Sequence, residues 1–156
     1  NERLLPVSLA WRDRVQECLP SNLRVIGGKL ATSKKVLTSS NEKRDFARIT
    51  GASAVDLESG AVAEVAEDSD TPFLAIRAIS DPIEFSPPLA LLDAVNPDGS
   101  ANLSQIIFLL LQRSVTLGTL LRLGRDVRTA RSTLSTVALH AGIELGTQSN
   151  QSTTTH

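Results

Sequence analysis

The sequence contains no methionine and a single cysteine, Cys18, among its 156 residues. One cysteine excludes a disulfide within the chain and a zinc site built from several cysteines, and it is typical of a protein from a reducing compartment. An unprocessed translation product begins with methionine, whereas this chain begins with Asn1. We therefore expect the chain to have been trimmed, processed or excised from a longer protein.

The chain also has almost no net charge and no long hydrophobic run. The 16 basic residues nearly balance the 17 acidic ones, and the net charge of −1 gives no reason to expect a nucleic-acid partner. The apolar run at 106–111 is far shorter than the roughly 20 residues that cross a bilayer. His140 and His156 are isolated in the sequence, so no metal site is predicted. These features predict a cytoplasmic protein.

Helical and extended patterns alternate along the chain, which predicts an α/β fold with a mixed, largely parallel sheet. Apolar residues at helical spacing indicate helices over 9–19, 41–49, 54–66 and 102–123. Short extended pieces are expected within 23–37, and the apolar run Phe73–Ile79 is typical of a strand buried on both faces. Only about three strands result, fewer than a complete doubly wound sheet needs.

The small number of strands predicts that residues 1–146 form the C-terminal part of a domain whose N-terminal half is missing. A proline-rich stretch follows Asp81, and a turn is expected at 96–99. Residues 147–156 are rich in Ser, Thr, Gln and Asn, which predicts a disordered tail.

Two segments carry the strongest functional signal, Ala-Val-Asp-Leu-Glu-Ser-Gly-Ala-Val-Ala at 54–63 and Pro-Phe-Leu-Ala-Ile-Arg-Ala-Ile-Ser-Asp at 72–81. Taken separately, each has an ordinary structural explanation: Asp56 can cap a helix and Asp81 can form a turn. Together they resemble the purine nucleoside phosphorylase and nucleosidase family. The segment 28–33 and the Glu42-Lys43 pair resemble the stretch that precedes this motif, so the resemblance covers about residues 21–85.

The resemblance implies a three-layer nucleoside-phosphorylase-like fold and assigns the catalytic role to Asp81. Cleaving a purine N-glycosidic bond leaves negative charge on the base, which an acid near N7 neutralises. A carboxylic acid in that role has to stay protonated near neutral pH, and burial favours the protonated form. Ser80 is expected to hold the Asp81 side chain in place.

Four further residues are assigned to the substrate by the same resemblance. Glu58 is expected to accept hydrogen bonds from both ribose hydroxyls and to place a negative charge near the cationic sugar. Leu57, where the family usually has methionine, is expected to lie against the ribose. Val36 and Leu37 fall where the family lines the base pocket, and Val36 stands where nucleosidases often have an aromatic residue.

Several alternatives remain open at the level of sequence. The glycine-rich anion site of the family is not found before Leu57, so phosphorolysis, with phosphate as co-substrate, and hydrolysis are both compatible with the sequence. No cofactor is implied. The chain alone is expected to be inactive, and the complete protein is expected to be a homo-oligomer. A 5′-methylthioadenosine/S-adenosylhomocysteine nucleosidase-like hydrolase and a non-catalytic remnant or interaction module are the alternatives.

The segment Leu-Leu-Arg-Leu-Gly-Arg-Asp at 120–126 resembles the hopanoid-associated phosphorylases of the same family. This resemblance suggests adenosylhopane as the substrate. Arginines recur at 122, 125, 128 and 131 among leucines, a pattern compatible with docking at an anionic inner membrane surface. The alternative is a helix that covers the sheet with its arginines in solvent.

Overall fold

The computed structural model describes residues 3–85, 88–91, 94 and 102–146. The turn predicted at 96–99 and the tail predicted at 147–156 lie outside these residues. In chain order, the regular elements are α1 (Leu9–Glu17), β1 (Leu30–Thr32), α2 (Ser40–Thr50), β2 (Ala54–Asp56), α3 (Ser59–Asp68), α4 (Leu103–Leu111) and α5 (Leu117–Ala141). Short 3₁₀ turns occur at Leu89–Leu91 and Gly142–Leu145.

Strands β1 and β2 form a small parallel sheet, in which Leu30 lies opposite Ala54 and Thr32 lies opposite Asp56. Parallel strands need a crossover connection, and α2 supplies it. Helix α3 follows β2 directly, so the central part of the chain is a β-α-β-α unit. The predicted α/β class with a parallel sheet is confirmed.

Helix α2 begins and ends where the sequence favours it. The Ser39 side chain accepts a hydrogen bond from the Glu42 N–H, and the Glu42 side chain accepts one from the Ser39 N–H, which is a capping box. At the other end, Gly51 adopts a left-handed conformation with φ 65° and donates to the Ala47 carbonyl at 2.7 Å. The helix predicted over 41–49 is confirmed, one residue longer at each end.

The strand predicted over Phe73–Ile79 is wrong. Among the described residues this segment pairs with neither strand, and Ile79 is 57% exposed. The Ser8 N–H donates to the Phe73 carbonyl at 2.9 Å, and Leu74 and Ile76 pack against helices. An apolar run becomes a strand only where a neighbouring strand offers hydrogen-bonding partners, and none does so here.

Two predicted helices have different bounds. Residues 54–56 form β2 rather than the first turn of a helix, because they pair with β1. The buried face of α3 is therefore Ser59 and Ala63, whereas Val62 and Val65 are exposed. The helix predicted over 102–123 is interrupted between α4 and α5, where Arg113 adopts a left-handed conformation with φ 57°.

Two apolar clusters hold the described part of the chain together. In the first, Val15 of α1 packs against Val137 and Ala141 at the end of α5, and Trp11 adds a 2.6 Å hydrogen bond from Nε1 to the Glu144 carbonyl. The second joins α4 to the start of α5 through Leu91, Ala94, Leu109 and Val115. None of the helices formed by the described residues is long and apolar enough to span a membrane.

Candidate active site

A cavity of about 360 Å³ opens beside the β1-β2 pair. Its walls are the loops that follow the two strands, one face of α2 and the segment 77–83. In open α/β sheets ligands bind beyond the carboxyl ends of the strands, and the cavity includes this region. Its volume is within the range of small-molecule sites, about 300–1,000 Å³.

The cavity brings together most of the residues that the sequence singled out. Its lining includes Val36, Leu37, Leu57, Ser80 and Asp81. Leu37 is buried, whereas Val36 and Leu57 are about half exposed and so accessible to a ligand. Residues that are distant in sequence, and were selected through the family resemblance, therefore share one concave surface.

The environment of Asp81 differs from the buried one that was predicted from the sequence. Its side chain is 39% exposed, so the burial that was expected to keep it protonated is absent. Instead, Asp81 Oδ1 lies 2.6 Å from the Nζ of Lys43. In this structure the predicted acid is therefore one half of an ion pair.

Lys43 is the unexpected residue of the site. Its side chain is only 9% exposed, and Nζ also donates to the Phe85 carbonyl at 2.8 Å and approaches the Pro82 carbonyl at 3.4 Å. A lysine ammonium has three hydrogens to donate, and here three acceptors surround it. This arrangement explains how a charged side chain can be buried at the cavity wall.

Glu58 occupies a different position from the other predicted site residues. It is exposed at the start of α3, makes no side-chain capping hydrogen bond, and is not among the described residues that line the cavity. Leu57, its neighbour, does line the cavity. The ribose contact assigned to Glu58 therefore remains a prediction.

Asp56 organises the turn between β2 and α3. Its carboxylate accepts hydrogen bonds from the Ser59 N–H at 3.1 Å, the Ser59 hydroxyl and the Thr32 hydroxyl at 3.1 Å, and it pairs with Arg77 at 2.5 Å. Partial burial by itself raises the pKa of Asp56, but the Ser59 hydrogen bonds, the Arg77 charge and the Thr32 hydroxyl together lower it below its ordinary value. Asp56 is not the N-cap residue of α3, which is Glu58, but its carboxylate supports the start of the helix through the Ser59 N–H.

Sequence reasoning gave no site role to several residues that line the cavity, among them Lys43, Phe46 and Arg77. Lys43, Phe46 and Ala47 stand at i, i+3 and i+4 of α2, a spacing that places them on one helical face. That spacing is visible in the sequence, but it does not reveal which face of α2 meets the cavity. Among the described residues no group of three or more His, Cys, Asp or Glu side chains could hold a metal ion.

The chain belongs to the phosphorylase superfamily, whose family model matches residues 2–112. This match confirms the resemblance to nucleoside phosphorylases and nucleosidases and extends it on both sides of residues 21–85. It covers α1 to α4 and ends before α5. No curated protein and no solved structure matches the chain.

Proposed function

We propose that the protein cleaves the N-glycosidic bond of a purine nucleoside at the cavity lined by Asp81. The observation that carries this proposal is the single concave site that joins Asp81 and Ser80 to Leu57, Val36 and Leu37. Membership of the phosphorylase superfamily supports the reaction class. In the reaction the C1′–N9 bond breaks, its electron pair goes to the base, and phosphate or water adds to C1′.

The residues have separate roles in this proposal. Asp81 takes up a proton from solvent and delivers it to N7 as the base departs, and Ser80 supports it from the same wall. Leu37 and Val36 contact the base, and Phe46 provides the aromatic surface that Val36 lacks. Leu57 contacts the ribose, and Glu58 binds the ribose hydroxyls when it turns toward the substrate.

The substrate is proposed to be an adenosyl nucleoside with an apolar 5′ substituent, for which adenosylhopane is the first candidate. The resemblance of segment 120–126 to hopanoid-associated phosphorylases supports this choice. Cytoplasmic location and homo-oligomeric assembly belong to the same proposal; light scattering of the complete protein would measure the assembly.

The test is release of free base by the complete protein from adenosine, inosine, 5′-methylthioadenosine, S-adenosylhomocysteine and adenosylhopane, followed by chromatography. Each substrate is tested with and without phosphate, because ribose 1-phosphate products indicate phosphorolysis and free ribose products indicate hydrolysis. Asp81→Asn is expected to lower the rate roughly 10²–10⁴-fold, the contribution of a general acid.

Asp45→Asn is the matched control. Asp45 is exposed on α2 and pairs with Arg48 at 3.1 Å, so this substitution also removes one carboxylate from an ion pair, away from the cavity. Its rate is expected to equal that of the parent. An Asp81→Asn variant as active as the Asp45→Asn variant would refute the assignment of the acid.

A non-catalytic interaction module is the second candidate, and one observation favours it. Glu58 lies outside the described cavity lining, so the ribose clamp is not assembled in this structure. A module of this kind would bind purine compounds without releasing the base, and the same chromatographic assay distinguishes the two functions.

A further inference from the structure

We infer that Lys43 is a positioning residue that holds the Asp81 carboxylate where the departing base needs it. The inference rests on the proposed function, since it concerns the group assigned there to protonate N7. It gives a role to a residue of α2, a helix from which the sequence analysis assigned no site residue.

The exposure and contacts of the two side chains show that Lys43 is the fixed partner and that Asp81 is held by it. The Lys43 side chain is 9% exposed, and its Nζ contacts two backbone carbonyls, those of Phe85 and Pro82, as well as Asp81. Asp81 is 39% exposed and follows a segment without regular secondary structure. The ammonium therefore anchors the carboxylate and the backbone after it to α2.

This pair is unlike the ordinary surface ion pairs of the protein. Lys35 and Glu42, for example, lie 3.3 Å apart, but the lysine side chain is 73% exposed. Exposed pairs of that kind contribute little, because water solvates both partners. A buried ammonium has to be paired, so the cost of leaving Lys43 without its acceptors keeps Asp81 and the two carbonyls in place.

Fixing the position of Asp81 matters because the acid must meet N7 at hydrogen-bonding distance while the C1′–N9 bond breaks. A displacement of about 1 Å in a reacting group can lower a rate roughly 10²-fold. The segment before Asp81 has no strand partner and does not by itself hold the carboxylate in one position. A side chain from a capped helix, such as Lys43 on α2, does so.

The test is Lys43→Met in the complete protein, with base release measured at varied substrate concentration. Methionine keeps much of the apolar stem and removes the ammonium. We expect kcat to fall roughly 10²-fold, and KM to change less than about threefold, because the base and ribose contacts remain.

Lys29→Met is the matched control. Lys29 also donates to a backbone carbonyl, that of Thr50 at 2.8 Å, but it is exposed and lies outside the cavity lining. It is expected to leave kcat unchanged. Circular dichroism on heating shows whether Lys43→Met folds; if it does not, Lys43→Gln replaces it, since its amide can still donate to the two carbonyls.

The double variant Lys43→Met/Asp81→Asn separates positioning from a general structural role. If Lys43 acts through Asp81, the double variant is no slower than Asp81→Asn alone, whereas independent effects multiply. Multiplied losses, or a Lys43 variant within about threefold of the parent, would overturn the inference and leave the proposed function standing. Absence of base release from the parent would instead remove the proposed function, and this inference with it.

Discussion

The side chain of Asp56 shows how single residues prepare the site before any substrate arrives. It links the ends of β1 and β2 through Thr32 and connects α3 to the segment that carries Asp81 through Ser59 and Arg77. Arg77 donates to both Asp56 and Ser59, and its neighbours 78–81 line the cavity. The acidic residue that precedes Glu58 is therefore structural, and it orients the wall on which Asp81 lies.

The proposed contact between Glu58 and the ribose can be tested with a single substitution. If it binds both ribose hydroxyls, Glu58→Gln weakens ribonucleosides more than 2′-deoxyribonucleosides, since only ribonucleosides offer both hydrogen bonds. Hydrogen bonds to a charged group contribute about 1.5–3 kcal/mol each. The ratio of kcat/KM between adenosine and 2′-deoxyadenosine measures the difference.

Glu64→Gln is the control for Glu58, because Glu64 is exposed farther along the same helix. It is expected to leave the ratio unchanged. Equal losses on both nucleosides for Glu58→Gln would show that Glu58 acts only near the start of α3.

The family resemblance predicted five of the residues that line the cavity, but it gave no role to Lys43, which pairs with Asp81. Val36, Leu57 and Ser80 belong to segments with a family pattern, and they meet in the cavity. Lys43 and Asp81 are far apart in the chain, and their contact depends on how α2 packs against the segment 81–85. No local pattern encodes that packing.

Among the helices, α2 has the clearest start and stop signals in the sequence, and one of its faces forms a wall of the cavity. Its capping box and its terminal glycine are readable from the sequence, and the observed bounds follow them. Lys43 and Phe46 both belong to this helix and line the cavity, so the bounds of the helix set the position of two cavity-lining side chains.

The capping residue Glu42 gives this helix a pH dependence. Hydrogen bonds from the Thr38 backbone, Lys35, the Thr38 hydroxyl and the Ser39 backbone lower the pKa of Glu42 from 4.5 to about 2. A lowered folded-state pKa contributes stability that is present above the unfolded value and lost as pH falls through the folded value. We therefore expect this contribution to disappear between about pH 4.5 and pH 2.

The measurement is urea denaturation of the parent and of Glu42→Gln across that range. The variant is expected to be less stable at pH 7 and to lose less stability on acidification. Glu64→Gln, which changes a carboxylate outside any cap, is expected to follow the parent. Parallel curves for the parent and Glu42→Gln would mean that the cap does not respond to pH.

The break between α4 and α5 shows why one boundary could not be predicted. Arg113 N–H donates to the Leu110 carbonyl and Ser114 N–H to the Leu109 carbonyl, both at 3.1 Å, which is the hydrogen-bonding pattern of a Schellman motif. Its left-handed position usually holds glycine, but here it holds Arg113. Without a glycine, the apolar pattern continues past the break and predicts one long helix.

At the scale of the whole molecule, α5 links the two ends of the described chain. It lies outside residues 2–112, yet its end packs on α1 within them, and its start packs on α4. Fold class and most helices were predictable, because periodicity and capping are local. The absence of a strand at Phe73–Ile79 could not be predicted, because strand pairing depends on neighbours that no local pattern describes.

The exposed arginines of α5 test the proposed membrane contact. Arg122 is exposed and also stacks 4.3 Å from the centre of the Phe85 ring. Three further arginines of α5 are exposed as well, Arg125, Arg128 and Arg131. We expect the complete protein to co-sediment with phosphatidylglycerol vesicles at low salt and less at physiological salt, because screening weakens such contacts. Replacing these three exposed arginines by glutamine is expected to abolish binding.

The control variant replaces three exposed arginines elsewhere, Arg12, Arg44 and Arg48, by glutamine. It removes the same charge and is expected to bind as the parent does. Binding that survives the α5 substitutions, or is absent at both salt concentrations, would contradict docking through this helix.

In the proposed function a purine occupies the cavity beside the two parallel strands. Titration of free adenine into the ¹⁵N-labelled complete protein, followed by amide chemical shifts, tests this occupancy. We expect saturable shifts at Leu37, Phe46, Leu57 and Ser80, which line that cavity, and none along the exposed part of α5. Saturable shifts confined to other parts of the chain, or no shifts at millimolar adenine, would contradict it.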